Sequence, residues 1–240
     1  MAVQHIVPAS LAGASAEEVL AWADAGFGDA AAIASSFGVE DVVLIDLASR
    51  HAPRLGVFTL DTGRLPPETY EVMEQVRRRY GIRIETYAPE RAAVEALENE
   101  KGFFSFRRSV TERKECCAIR KLEPLSRALS GKKAWVTGLR REQSVTRAEV
   151  EVVEVDEGHG GILKLNPLSH WTEAQVWRYA RDRSLPVNAL HDRGYPSIGC
   201  APCTRAIGPG EDVRAGRWWW ESPEHKECGL HALRAGGGGR

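Results

Sequence analysis

No window of this chain is apolar over the length a membrane-spanning helix needs, and the start, Met1-Ala2-Val3-Gln4-His5, lacks the basic region and apolar run of an export signal. An excess of charge is also missing. With 32 Lys+Arg against 33 Asp+Glu the formal charge is −1, so no global field draws the chain to nucleic acid, and any polyanion site must be a local patch. Five cysteines are odd in number and, without an export signal, argue against a disulfide framework. Metal binding or thiol chemistry is the better use for them. These absences set the expectation of a cytoplasmic protein with no membrane and no nucleic-acid partner.

What is present is ordinary globular composition, 43% hydrophobic and 27% charged over 240 residues, enough for one domain and a tail. Strand-like runs at residues 30–34, 56–60, 82–87 and 133–138 alternate with helical periods at 39–50, 66–80 and 89–101. That alternation predicts an α/β fold with a doubly wound, mainly parallel sheet. Ser15-Ala16-Glu17-Glu18 has a capping-box pattern opening a short first helix. A helix is expected over 119–129, an irregular and mobile basic loop over 139–148, two strands over 149–155 and 162–165, and a last helix over 172–183. From about Gly208 glycine, proline and charge dominate, apart from Trp218-Trp219-Trp220, which reads as a hydrophobic anchor for the tail. The expected division is a body over 1–206 and a mobile tail over 207–240.

Ser35-Ser36-Phe37-Gly38-Val39-Glu40-Asp41 falls between a strand and a helix, where backbone N–H groups and a helix N-terminus suit an anion. The same sequence also serves as a plain turn. Asp61-Thr62-Gly63 ends the next strand and would face the same crevice, and two such loops favour a nucleotide. Cys116-Cys117 and Cys200-x-x-Cys203 supply four thiols in two pairs, the usual donors of zinc or an iron–sulfur centre. Adjacent cysteines on a helix diverge by roughly 100°, which is awkward for one small tetrahedral ion and easier for a cluster that spreads its attachment points. Arg140, Arg141 and Arg147, and Arg214 and Arg217, lie in irregular segments where guanidinium forks suit phosphate and sulfate oxygens. Arg113 and Lys114 read as a solvated face. Cys228 remains unpaired by spacing, in Glu227-Cys228-Gly229-Leu230-His231, and becomes a useful nucleophile if His231 or nearby arginines depress its pKa.

Taken together, Ser36-Phe37-Gly38-x-Glu40-Asp41, Leu60-Asp61-Thr62-Gly63-Arg64, Cys116-Cys117-x-x-Arg120-Lys121-x-x-Pro124-Leu125, Thr137-Gly138-Leu139-Arg140-Arg141-x-Gln143-Ser144, Cys200-x-x-Cys203 and the Cys228 motif resemble the cluster-containing assimilatory adenylyl-sulfate (APS) reductases of the phosphoadenylyl-sulfate (PAPS) reductase family. The resemblance spans nearly the whole chain. It implies a sheet of the adenine nucleotide alpha hydrolase-like type and the reduction of APS to sulfite and AMP, in sulfate assimilation and cysteine biosynthesis. It further implies a 4Fe-4S cluster on Cys116, Cys117, Cys200 and Cys203, and reduced thioredoxin as electron donor. Cys228 is similar to the family's nucleophile, with His231 beside the reacting group. Adenosine is expected on Ser35, Ser36, Phe37, Gly38, Leu60, Asp61, Thr62 and Gly63, the phosphosulfate on Lys121, Arg140 or Arg147, Arg214 and Arg217, and Gly138 is a further substrate-binding residue. The rival is PAPS, alone or together with APS. ATP-dependent tRNA thiolation is disfavoured, since its loop would read Ser-Gly-Gly-x-Asp-Ser.

Overall fold

The computed structural model describes residues 7–144, 147–222, 226 and 229–230. Six strands form one sheet in the order β3-β2-β1-β4-β6-β5: β1 (Ala31–Ala34), β2 (Gly56–Leu60), β3 (Ile84–Tyr87), β4 (Ala134–Val136), β5 (Val153–Asp156) and β6 (Ile162–Leu165). All pairings are parallel except that of β5 with β6 at one edge. The expected doubly wound α/β architecture is therefore present.

Alternate side chains of the central strands feed two cores, as the twofold period of a strand requires. Ala31 and Ile33 of β1, Val57 of β2, and Ala134 and Val136 of β4 pack with helices α1 (Ala16–Phe27) and α2 (Val39–His51). Ala32, Phe58 and Trp135 face the other way, onto Leu125, Ala128 and Leu129 of α6 (Glu123–Leu129). A sheet covered on both faces has no need of polar alternation, which is why these strands read as short apolar runs.

The first helix starts where its capping box places it, with Glu18 N–H donating to Ser15 Oγ (3.2 Å) and Ser15 N–H donating to Glu18 Oε2 (2.7 Å). Helix α3 (Pro67–Tyr80) ends at Gly81 in the left-handed region (φ 62°), and it is followed by α4 (Arg91–Lys101). The last helix, α7 (Glu173–Asp182), is capped by Thr172 and Gln175.

The structure departs from the expected helix over 119–129. Helix α5 (Val110–Cys117) begins earlier, capped by the Ser109 hydroxyl on Glu112 N–H (3.1 Å), and carries the cysteine pair in its last turn. A π-helical turn, Ala118–Leu122, then joins it to α6. Such a turn inserts one residue per turn and re-aims the side chains that follow; here these are Arg120 and Lys121, both buried. The expected strand over 149–155 shrinks to Val153–Asp156, and the basic loop over 139–148 contains a 3-10 turn, Arg141–Gln143.

Candidate active site and cysteine chamber

Strand order reverses between β1's two neighbours, β2 on one side and β4 on the other, so the loops leaving β1 and β4 diverge and open a crevice at their C-terminal ends. A cavity of about 560 Å³ occupies this position. Its floor is the β1–α2 turn, where Ser36 donates from both N–H (2.6 Å) and Oγ (2.8 Å) to one oxygen of Asp41. Phe37 adopts φ +59°, an uncommon conformation for a bulky residue. Its N–H donates to Ser35 Oγ (3.1 Å) and its ring is buried in the core. Burial pushes the Asp41 carboxyl up to about 6, against the two Ser36 hydrogen bonds that favour its charged form.

Ser35, Ser36, Gly38, Leu60, Thr62, Gly138, Lys121, Arg140, Arg147, Arg214 and Arg217 all line this cavity. Phe37, Asp61 and Gly63 are not among its lining residues. Asp61 Oδ1 instead holds its own turn, accepting from Gly63 N–H (2.9 Å) and Tyr70 Oη (2.8 Å), and Gly63 supplies the φ of +70°.

The loop arginines are not loose. Arg140 is 5% exposed and clamps Glu40 Oε1 through Nε (3.0 Å) and Nη2 (2.9 Å). Arg147 Nη1 donates to Gln143 Oε1 (2.6 Å). Arg217, 7% exposed, donates to the Ile198 carbonyl (3.0 Å) and stacks on Trp218 at 4.8 Å. Arg214 Nη2 donates to the Lys226 carbonyl (2.7 Å). The cavity is thus polarised. Lys121 and Arg217 lie against Trp218, with Arg214 beside Arg217, whereas elsewhere in the wall Arg140 is matched by Glu40, and Asp41 and Glu173 also line it.

Against the cationic end lies a second, smaller chamber lined by Cys116, Cys117, Cys200 and Cys203, all buried, together with Arg64, Phe106, Arg113, Arg120, Lys121 and Trp218. Lys121, Cys200 and Trp218 line both spaces. Burial pushes the Cys203 thiol up to about 12 and the Cys116 thiol up as well. For Cys200 burial is outweighed by Lys121, the Thr62 hydroxyl (3.3 Å), Arg217 and Arg120, and its pKa is lowered. Four thiols so enclosed do not ionise together unless a cationic group joins them. Among the described residues no three His, Cys, Asp or Glu side chains form a set for a single metal ion. Paired thiols around one chamber, with cations in its wall, are a donor set suited to a larger thiolate-ligated cluster.

Cys228 and His231 lie outside the described residues. Leu230, two positions beyond Cys228, lines the cavity and packs on the core that contains Leu125 and Trp135. Sequence reasoning assigned Arg113 to a solvated face, and the structure corrects this: its side chain is fully buried and paired with Glu221, whereas Lys114 is exposed. Periodicity in an eight-residue helix was too short a signal to find it. His191 was also missed. It lines the cavity, sits edge-on to Trp177 (5.1 Å), and has both ring nitrogens buried without a hydrogen-bond partner. Burial holds it below the usual histidine range, and no local motif marked it.

A phosphoadenosine phosphosulfate reductase domain matches residues 30–206. The chain is 57% identical over 203 residues to an adenosine 5′-phosphosulfate reductase of Allochromatium vinosum, covering 85% of this chain and 79% of that one. It is 51% identical over 228 residues to the protein of the same name from Pseudomonas aeruginosa, covering 93% and 84%. Among solved structures it resembles the phosphoadenylyl-sulfate reductase of Candida auris in a phosphate complex, with a TM-score of 0.70, 30% identity, and coverage of 82% and 93%. A nucleotide-sized cavity at the strand-order reversal, a body matched from β1 to just beyond Cys203, and identity above one half over most of the chain converge: the chain belongs to the phosphoadenosine phosphosulfate reductase family.

Proposed function

We propose that this chain is an adenylyl-sulfate reductase, converting APS to sulfite and AMP with two electrons from reduced thioredoxin, in sulfate assimilation and cysteine biosynthesis. The observation that carries the reading is the polarised cavity, whose cationic end adjoins the four buried thiols. Similarity to relatives named for this activity supports the same conclusion.

In this reading the Cys228 thiolate attacks the sulfate sulfur, forming the S–S bond of a cysteine S-sulfonate while the S–O bond to phosphate breaks and AMP leaves. A thioredoxin thiolate then attacks the cysteine sulfur, sulfite departs with the S–S electron pair, and the second thioredoxin thiol resolves the mixed disulfide. An anionic nucleophile meeting an anionic phosphosulfate needs fixed cations, and Lys121, Arg214 and Arg217 supply them with His231. Ser35, Ser36, Gly38, Leu60 and Thr62 hold the adenosine, Phe37, Asp61 and Gly63 shape their loops, and Gly138 lets the β4 loop approach. Arg140 and Arg147 tie down the opposite wall. Cys116, Cys117, Cys200 and Cys203 would hold a 4Fe-4S cluster, which when bound would supply local charge near Lys121 rather than electrons. Residues 1–206 form the nucleotide- and cluster-binding body, and residues 207–240 the tail that presents Cys228 first to APS and then to thioredoxin. No helix among the described residues is long and apolar enough to cross a membrane, and we place the reaction in the cytoplasm.

The test is mass spectrometry after incubation with APS alone. A sulfonate adduct is expected on Cys228, removable by thioredoxin. Cluster-loaded protein that forms no adduct, or an adduct that persists in Cys228→Ser, would refute the mechanism. Turnover on PAPS beside APS decides between the single and the dual substrate, a question raised by the 30% identity to a PAPS reductase.

A further inference from the structure

The segment after residue 207 does more than carry a cysteine. Thr204 and Arg217 form an antiparallel bridge, and Trp218 N–H donates to the Cys203 carbonyl (3.1 Å), so the chain returns directly onto the second cysteine pair. Trp218 is 1% exposed and forms part of the wall of both the cysteine chamber and the nucleotide cavity. Its backbone sits at φ +40°, where an indole side chain is strained, so the surrounding contacts must hold it there.

Arg217 stacks on one side of this ring, and a second holding contact comes from Arg113. Its guanidinium lies over the Trp218 ring at 4.7 Å and grips Glu221 through Nε (3.0 Å) and Nη2 (2.8 Å). The two side chains are 1% and 3% exposed. Arg113 belongs to α5, one turn before Cys116 and Cys117, and it also lines the chamber. Glu221 N–H closes the turn onto the Trp218 carbonyl (2.8 Å). A buried ion pair of this kind contributes little in sum, but removing one partner strands the other charge out of water. Its contacts join the cysteine-bearing helix to the segment seven residues ahead of Cys228.

We propose that the Arg113–Glu221 clasp closes the cysteine chamber with Trp218, so that cluster retention and docking of the tail are one coupled equilibrium. The proposal rests on the reading that the four thiols hold an iron–sulfur cluster. Arg113 and Glu221 are positioning residues that act through Trp218. Coupling is reciprocal: opening the clasp exposes the chamber, and emptying the chamber loosens the tail.

The test uses full-length protein purified without oxygen. In Glu221→Gln, loss of the iron–sulfide absorbance in air is expected to be at least about tenfold faster than in the unsubstituted protein, with far-ultraviolet dichroism unchanged. Arg113→Met combined with Glu221→Leu is expected to decay at least about threefold more slowly than Glu221→Gln, since paired apolar replacement strands no ion of the clasp, although the contact of Arg113 with Cys117 is lost too. In unsubstituted protein, chelator removal of iron is expected to accelerate tryptic cleavage within 207–240. Equal decay rates in Glu221→Gln, or a double variant no better than the single one, would overturn the clasp. So would equal cleavage with and without iron. If the protein holds no iron or sulfide, the cluster reading fails by itself. The clasp is then judged on metal-free protein by whether Glu221→Gln speeds labelling of Cys116, Cys117, Cys200 and Cys203 by a thiol reagent; unchanged labelling rejects it.

Discussion

Replacing Gly199 by alanine tests Arg217 without touching it. Gly199 is not in the left-handed region, so alanine suits its backbone. A methyl group there would fall 2.1 Å from Arg217 Nη2 and 2.5 Å from Cζ, and the guanidinium must move. It has few places to go: Trp218 stacks on it at 4.8 Å and the Ile198 carbonyl holds Nη1 at 3.0 Å. Because the colliding atoms are the tip of a long side chain, displacement relieves the clash and the fold survives. What is lost is one charged hydrogen-bonding group at the cationic end of the cavity, worth about 1.5–3 kcal/mol, or roughly 10- to 100-fold in binding. The assay is kcat/KM for APS in thioredoxin-dependent sulfite release, with iron and sulfide content measured on the same sample because Cys200 is the next residue. A Gly199→Ala enzyme with full metal content and unchanged kcat/KM would refute Arg217 as a phosphosulfate ligand, as would a loss that tracks iron content alone.

Two further substitutions probe the other end of the site. In Gly138→Ala the new methyl meets Asp41 Oδ1 at 2.4 Å and Glu40 Cβ at 3.0 Å, near the helix backbone where little can yield. Destabilisation of about 1–3 kcal/mol is expected, with weaker AMP binding by calorimetry, and unaltered stability would contradict the packing. Asp41→Asn isolates a pH effect. The Asp41 pKa rises from 3.8 to about 6 on folding, so between those values the folded chain holds a proton that the unfolded chain has released. Stability from this group is therefore greatest at low pH and falls as pH rises through the window, by up to about 3 kcal/mol. Urea unfolding at about pH 4.5 and 7.5 should show the variant gaining on the unsubstituted chain as pH rises, and parallel profiles would exclude the assignment.

The sheet was legible because its signals are local. β2 has the bounds its apolar run implies, and the Ser15–Glu18 cap needs only residues three apart. The cysteine region was less legible for a reason that is also physical. A π turn has no composition of its own, and α5 before it is only eight residues long, too short for a helical period to stand out. Arg113 looked solvated because its partner Glu221 is 108 residues away. The same holds for Arg140 and Glu40, 100 residues apart. Motifs identify which side chains bear charge; only tertiary structure says which charges are already neutralised.

That distinction decides where an anion fits. Counting cations along the chain makes Arg140, Arg147, Lys121, Arg214 and Arg217 equivalent candidates. Arg140 spends its guanidinium on Glu40 at 2.9 Å, so its charge is already matched, whereas Arg147 is oriented by the neutral amide of Gln143. Arg217 donates to the Ile198 carbonyl, which orients a guanidinium without cancelling its charge. Lys121 reaches the same end because the π turn directs it between the two chambers. Under the proposed reading a dianionic phosphosulfate would sit at the end adjoining Cys200 and Trp218, with its uncharged nucleoside toward Glu40, Asp41 and Glu173. A second phosphate, the 3′-phosphate of PAPS, would meet repulsion if directed at those carboxylates, which under the proposed reading would favour APS.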